Sequence, residues 1–222
     1  MKTTILIFLF TISFLLLSAG LISVDAKRPS EKKHTERLIQ ICCSWGEQLA
    51  DGTLTYKING GQSSLREVVK NAVAQWDSKI AGLTLQEVKG SGSADINIAF
   101  KKDGKSLSGQ RSKHGMMTAG LTSFELSGHN IINGVHITLA KGIRGNEFSS
   151  SQLELVAEHE LGHALGLGHS NFKSSIMFPT ISNQQSVTLS GCEIDGVLKA
   201  NAWKLVDGDG NPQSSKGDTL PC

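Results

Sequence analysis

Apolar residues recur with two periods along this chain, and the switches between them outline its elements. Leu54, Tyr56 and Ile58 alternate with polar residues between Asp51-Gly52 and Asn59-Gly60-Gly61, which predicts a strand over 54–58. Leu65, Val68, Val69, Ala72, Val73, Trp76 and Ile80 fall on one helical face. Ser64 and Glu67 have capping-box spacing at its start, and Gly82 marks its end. Strands are predicted over 83–88 and through Ile96, Ile98 and Phe100. Lys101 to Arg111 reads as a polar loop. A weaker strand pattern follows from Met116 to Phe124, and a clearer one through Val135, Ile137 and Leu139. A second helix opens at Ser151 and Glu154, with Leu153, Val156, Ala157, Leu161, Ala164 and Leu165 inward. A third opens at Ser190 and Glu193, with Ile194, Val197, Leu198 and Ala202 or Trp203 inward. There is no internal repeat. This order predicts a mixed α/β domain around one twisted sheet.

The two ends lack these periods. Thr3 to Val24 carries no charge, follows Lys2, and ends in the small-residue triplet Val24-Asp25-Ala26. That pattern predicts a secretory signal over 1–26, cleaved after Ala26. An uncleaved, outward-facing anchor is the alternative, since the run is long enough to span a bilayer. Residues 27–50 read as a basic lead-in, mobile over 27–40. Residues 206–222 read as a tail rich in Gly, Ser and Asp, leaving 51–205 for the folded domain.

Composition narrows the classes. The 222 residues hold 22 Lys+Arg and 20 Asp+Glu, a formal net charge of +2 that does not support nucleic-acid binding. Export makes the four cysteines candidates for disulfides. Bridging adjacent Cys42 and Cys43 is the disfavoured pairing of the three. The other two would staple the N-terminal segment to Cys192 and Cys222.

The chemistry lies in the second helix, in His159-Glu160-Leu161-Gly162-His163-Ala164-Leu165-Gly166-Leu167-Gly168-His169. Four-residue spacing puts His159 and His163 one turn apart on one helical face. Gly166 allows the backbone to leave the helix in a left-handed conformation, so that His169 returns toward the same point. Three imidazoles can hold one zinc and leave a position for water. Glu160 is placed to take a proton from that water, which the metal acidifies while polarising the substrate carbonyl. Five fixed residues of these types arise by chance on the order of once in 10⁵ chains of this length.

The run resembles the long zinc signature of the metzincins, and Ser170 after the third histidine makes it most similar to the matrixin branch. Ser175-Ile176-Met177-Phe178-Pro179 resembles the family's Met-turn, in which Met177 would pack beneath the ligands. The resemblance covers roughly Leu54 to Trp203. It implies a mostly parallel five-stranded sheet, three helices, one catalytic zinc and extracellular hydrolysis of protein or peptide substrates by a monomer. It also implies a substrate rim near Met117, Thr118 and Ala119, and a specificity-pocket wall at Pro179, Thr180 and Ile181. Departures are visible too. His114, His129 and His136 do not match a second, structural zinc site. The acidic calcium-binding strand end is missing, and Asp207-Gly208-Asp209-Gly210-Asn211 reads as a solvated turn, so calcium stays open. The family's Pro-Arg-Cys-Gly latency motif is absent. Two other readings remain at this point. One is a zinc amidase acting on cell-wall amides. The other is a non-catalytic binding module on the same scaffold.

Overall fold

Three strands set the layers of the structure: β3 (Thr53–Asn59), β5 (Ile96–Lys101) and β7 (Ile131–Ala140). They run parallel, with Tyr56 opposite Ile96 and Ile96 opposite Val135, then Ile58 opposite Ile98 and Ile98 opposite Ile137. Period-two patterns on all three chains therefore meet in register, and all six side chains are buried. The computed structural model describes residues 35–104, 118–180, 187–208, 210–213 and 217–222. Apart from Thr35, these residues belong to one compact unit, Glu36–Cys222. The expected signal segment over 1–26 lies outside the described residues.

The domain is mixed α/β, as the patterning implied, and its main sheet is mostly parallel, as the family resemblance implied. Its order is β2 (Ser44–Trp45), β7, β5, β3 and β4 (Thr84–Glu87), with β6 (Gly120–Ser127) antiparallel on β7. It has six strands rather than five because the two-residue β2 lies beside the start of β7. Helices α1 (Ser63–Asp77) and α2 (Ser150–Ala164) pack together, and the Trp76 indole N–H donates to the Glu158 carbonyl at 3.0 Å. α3 (Gly191–Ala200) and the four-residue α4 (Ala202–Leu205) follow. A hairpin of β8 (Gly142–Ile143) and β9 (Asn146–Glu147) leads into α2.

Several expectations change. The Ser64–Glu67 capping box does not form, because α1 starts earlier, with Gln62 at its N-cap. α2 is capped two residues before Ser151–Glu154, by Ser149 and Gln152, which bond reciprocally at 3.2 and 2.8 Å. Ser190 and Glu193 do cap α3. The lead-in expected to be mobile contains strand β1 (Leu38–Ile41), and the tail ends in β11 (Thr219–Pro221). These two pair with each other and with β10 (Leu167–Ser170) in a second sheet, ordered β10-β1-β11. Strands of only three or four residues leave little period to detect.

The same sheet corrects the cysteine reading. The pairs are Cys42–Cys43 and Cys192–Cys222. β11 runs antiparallel to β1, so the Cys222 amide meets the Arg37 carbonyl, at the end of β1 opposite Cys42. Cys192, in the first turn of α3, is beside Cys222 there. Backbone pairing of β1 with β11, not a disulfide, ties the N-terminal segment to the C-terminus. No cysteine is left as a free thiol.

Candidate metal centre

His159 and His163 sit one turn apart on α2, and His169 sits on β10 after the bend. Gly166 makes that bend at φ +103°, a region open to glycine. A Cβ there would also lie 2.5 Å from the Cys43 carbonyl oxygen, so the position has neither the torsion nor the room for a side chain. The bend is held from the other side as well. The Trp45 indole N–H donates to Ala164 O at 2.8 Å, and Asn201 Nδ2 donates to Leu165 O at 3.0 Å. These bonds occupy carbonyls that the end of a helix leaves unpaired. Neither Trp45 nor Asn201 carries a motif that would have flagged it.

The three rings stand 4.7, 4.9 and 5.5 Å apart between centroids, and one ligand nitrogen from each lies within 4.8 Å of the others. His159 Nδ1–H donates to Ile176 O at 2.7 Å, and His163 Nδ1–H donates to Leu167 O at 2.8 Å. A carbonyl can only accept, so both neutral rings carry their proton on Nδ1 and keep the Nε2 lone pair for a metal. Burial pushes their pKa values down, to about 4 for His159 and about 3 for His163, where its neighbour His159 adds to the shift. His169 is exposed yet shifted in the same direction, by desolvation. Three imidazoles that stay neutral, with fixed tautomers on two, suit a borderline-soft divalent ion such as zinc. Among the described residues this is the one grouping of three or more His, Cys, Asp or Glu able to share an ion.

Glu160 is buried beside His159, and burial raises its carboxyl to about 7, opposed by a hydrogen bond from Thr122. Met177 is fully buried beneath α2. A Cβ on Gly162 would run into the Met177 sulfur and lie 3.1 Å from the Trp76 ring, so this helical glycine admits the methionine between the two ligand positions. The Met177 turn is itself clamped. The Glu193 carboxylate, wholly buried, accepts from Ser175 Oγ at 2.5 Å, from the Ser190 amide at 3.0 Å and from the Ser190 hydroxyl. Ser175 Oγ in turn accepts from the Met177 amide at 3.0 Å. One carboxylate thus serves as the α3 capping partner and as the anchor of the turn; the cap pattern found it, the anchor role did not show.

The Matrixin family model (peptidase M10) matches residues 44–200. The chain belongs to the matrixin family. It is similar to human matrix metalloproteinase-26, 32% identical over 152 residues, covering 62% of this chain and 51% of that one. Rat matrilysin is 31% identical over 166 residues, covering 66% and 56%. Metalloendoproteinase 1-MMP of Arabidopsis thaliana is 29% identical over 165 residues, covering 66% and 42%. The chain thus spans about half the length of these relatives. Among solved structures, myroilysin aligns over 73% of this chain and 97% of its own, at 16% identity and a TM-score of 0.44.

For this matrixin the structure brings His159, His163, His169, Glu160 and Met177 together. Of the residues expected at a substrate rim, Thr118 and Ala119 precede β6, which begins at Gly120, and Ala119 O accepts from the Ala140 amide at 2.8 Å. Met117 and Ile181 lie outside the described residues, while Pro179 and Thr180 are exposed just past the Met177 turn. His136 pairs with Glu125 at 2.9 Å, His129 occupies a turn at φ +65°, and His114 is outside the described residues. Two β6 residues for which no contact with Glu160 was expected, Gly120 and Thr122, lie against it. Thirty-eight residues separate Thr122 from Glu160, so no local spacing signals their contact.

Proposed function

We propose that this matrixin is an exported zinc-dependent endopeptidase, with His159, His163 and His169 as ligands and Glu160 as general base. The observation that carries the reading is the pair of Nδ1–carbonyl bonds, which leave two neutral ring nitrogens facing a third beside a buried carboxylate. When bound, zinc supplies Lewis acidity toward the attacking water and the scissile carbonyl. Glu160, its carboxyl already raised toward neutrality by burial, accepts a proton from the water and delivers it to the leaving amine. The edge of β6 away from β7 orients an extended peptide, and Pro179, Thr180 and Ile181 wall the specificity pocket. Met177 supports the ligands from below without coordinating.

Replacing the base and keeping the ligands tests this. Glu160→Ala binds zinc at the wild-type stoichiometry by elemental analysis and loses peptide hydrolysis by roughly 10²–10⁴-fold. Near-normal hydrolysis by Glu160→Ala would overturn the role of Glu160. Export is tested by the N-terminus of the protein recovered from a secreting host, expected to be Lys27.

A further inference from the structure

The Glu160 carboxylate is backed by a strand. Thr122 Oγ1 donates to Glu160 Oε2 at 2.6 Å and lies 3.1 Å from the Glu160 carbonyl oxygen. Gly120, two residues earlier and so on the same face of β6, meets the same carboxylate. A Cβ on Gly120 would lie 2.6 Å from Glu160 Cγ and would collide with Oε1. The carboxylate therefore rests on bare backbone at one position and on a hydroxyl at the next.

We infer that Thr122 is a positioning residue, whose hydroxyl holds Oε2 of Glu160 against β6 and leaves Oε1 as the oxygen that takes the proton from water. This rests on the endopeptidase reading above. The hydroxyl has one proton, so it bonds one acceptor at a time. While Glu160 is ionised, the bond to Oε2 is charge-assisted and the stronger of the two. Once the water proton has moved to Oε1, the carboxyl is neutral and that bond weakens. The hydroxyl can then turn to the Glu160 carbonyl, leaving the acid free to pass its proton to the amine. Thr122 keeps its own proton throughout. The hold is thus tightest in the form that acts as base. Gly120 contributes space, since any side chain there would displace the carboxylate.

Thr122→Val keeps the β-branched shape that suits a strand and removes only the hydroxyl. The expected result is a fall in kcat on the order of ten-fold or more, the effect of one charge-assisted bond, with KM and zinc content unchanged. Thr122→Ser, which restores a hydroxyl, recovers most of the loss. In the wild type the Thr122 hydroxyl proton is protected from solvent exchange by NMR, and Glu160→Ala abolishes the protection. Wild-type kcat in Thr122→Val, an equal loss in Thr122→Ser, or an unprotected hydroxyl proton would each overturn the inference. Failure of the endopeptidase reading is separately visible, because the wild type itself would then show no Glu160-dependent hydrolysis.

Discussion

Glu158 shows what one buried group does to the molecule apart from any catalysis. Burial, with Glu154 adding to it, raises its carboxyl to about 7 from 4.5, and Lys79 opposes the shift. Below pH 4.5 the carboxyl is protonated folded or unfolded, so it costs nothing. Between pH 4.5 and 7 the unfolded chain releases the proton and the folded one keeps it, and stability is lost as pH rises through that window. Glu158→Gln removes the titration. Its stability advantage over the wild type should therefore grow by about 2 kcal/mol between pH 4.5 and pH 8 in urea titrations of the zinc-free protein. His159, His163 and Glu160 titrate in both proteins and cancel. A pH-independent difference would contradict the shift. Gly162 offers a second test. Alanine improves helix propensity by about 1 kcal/mol, but here its Cβ meets Met177 and Trp76. Overpacking wins, and Gly162→Ala should lower the unfolding free energy by about 1–2 kcal/mol. An unchanged or raised value would mean that Met177 has room to move.

Among the elements, the Met177 turn and α3 are joined through Glu193. Glu193→Ala would leave the buried Ser175 hydroxyl without its acceptor and would remove the capping partner of Ser190 at the start of α3. The expected cost is about 3 kcal/mol, together with faster zinc loss to a chelator, because Ser175 also holds the Met177 amide. A variant with wild-type zinc release would show that the turn stands without α3. Elements with strong period were legible in advance: β3, α1, β5, β7 and α2 fall within a few residues of their predicted spans. β6 was placed too early, because Met116 to Leu121 is as apolar as the strand itself and only pairing with β7 fixes its start. The caps of α1 and α2 were misplaced for a related reason. Ser149-Ser150-Ser151 offers several cap positions and the first is used, while α1 starts at Ser63, too early for Ser64 to cap it, and has Gln62 at its N-cap.

Across the whole molecule, the three proposed ligands come from α2 and from β10, which belong to different layers. Zinc bound by all three therefore binds the folded chain and not the unfolded one. At free zinc 1,000 times its dissociation constant the added stability is about 4 kcal/mol. For a chain of this size that raises Tm by about 10 °C, reversed by chelation in calorimetry. A Tm indifferent to zinc would argue against a preformed three-histidine site. The second sheet has a comparable part in the site. β10 carries His169 and pairs along β1, and β1 pairs along β11, so β1 and β11 together brace the strand that holds His169.

The three-histidine cluster was legible in the sequence because helical spacing and a glycine bend are local. Residues four apart on a helix must share a face, whatever surrounds them. The alternating strands were legible for the same reason. What surrounds the metal set was not. The carbonyls that fix the His159 and His163 tautomers, the Glu193 clamp, Thr122 and Gly120 against the carboxylate, and the pairing of the cysteines all join distant segments or depend on a turn's final geometry. Those contacts exist only once the strands are in register and the layers have closed, so tertiary packing alone decided them.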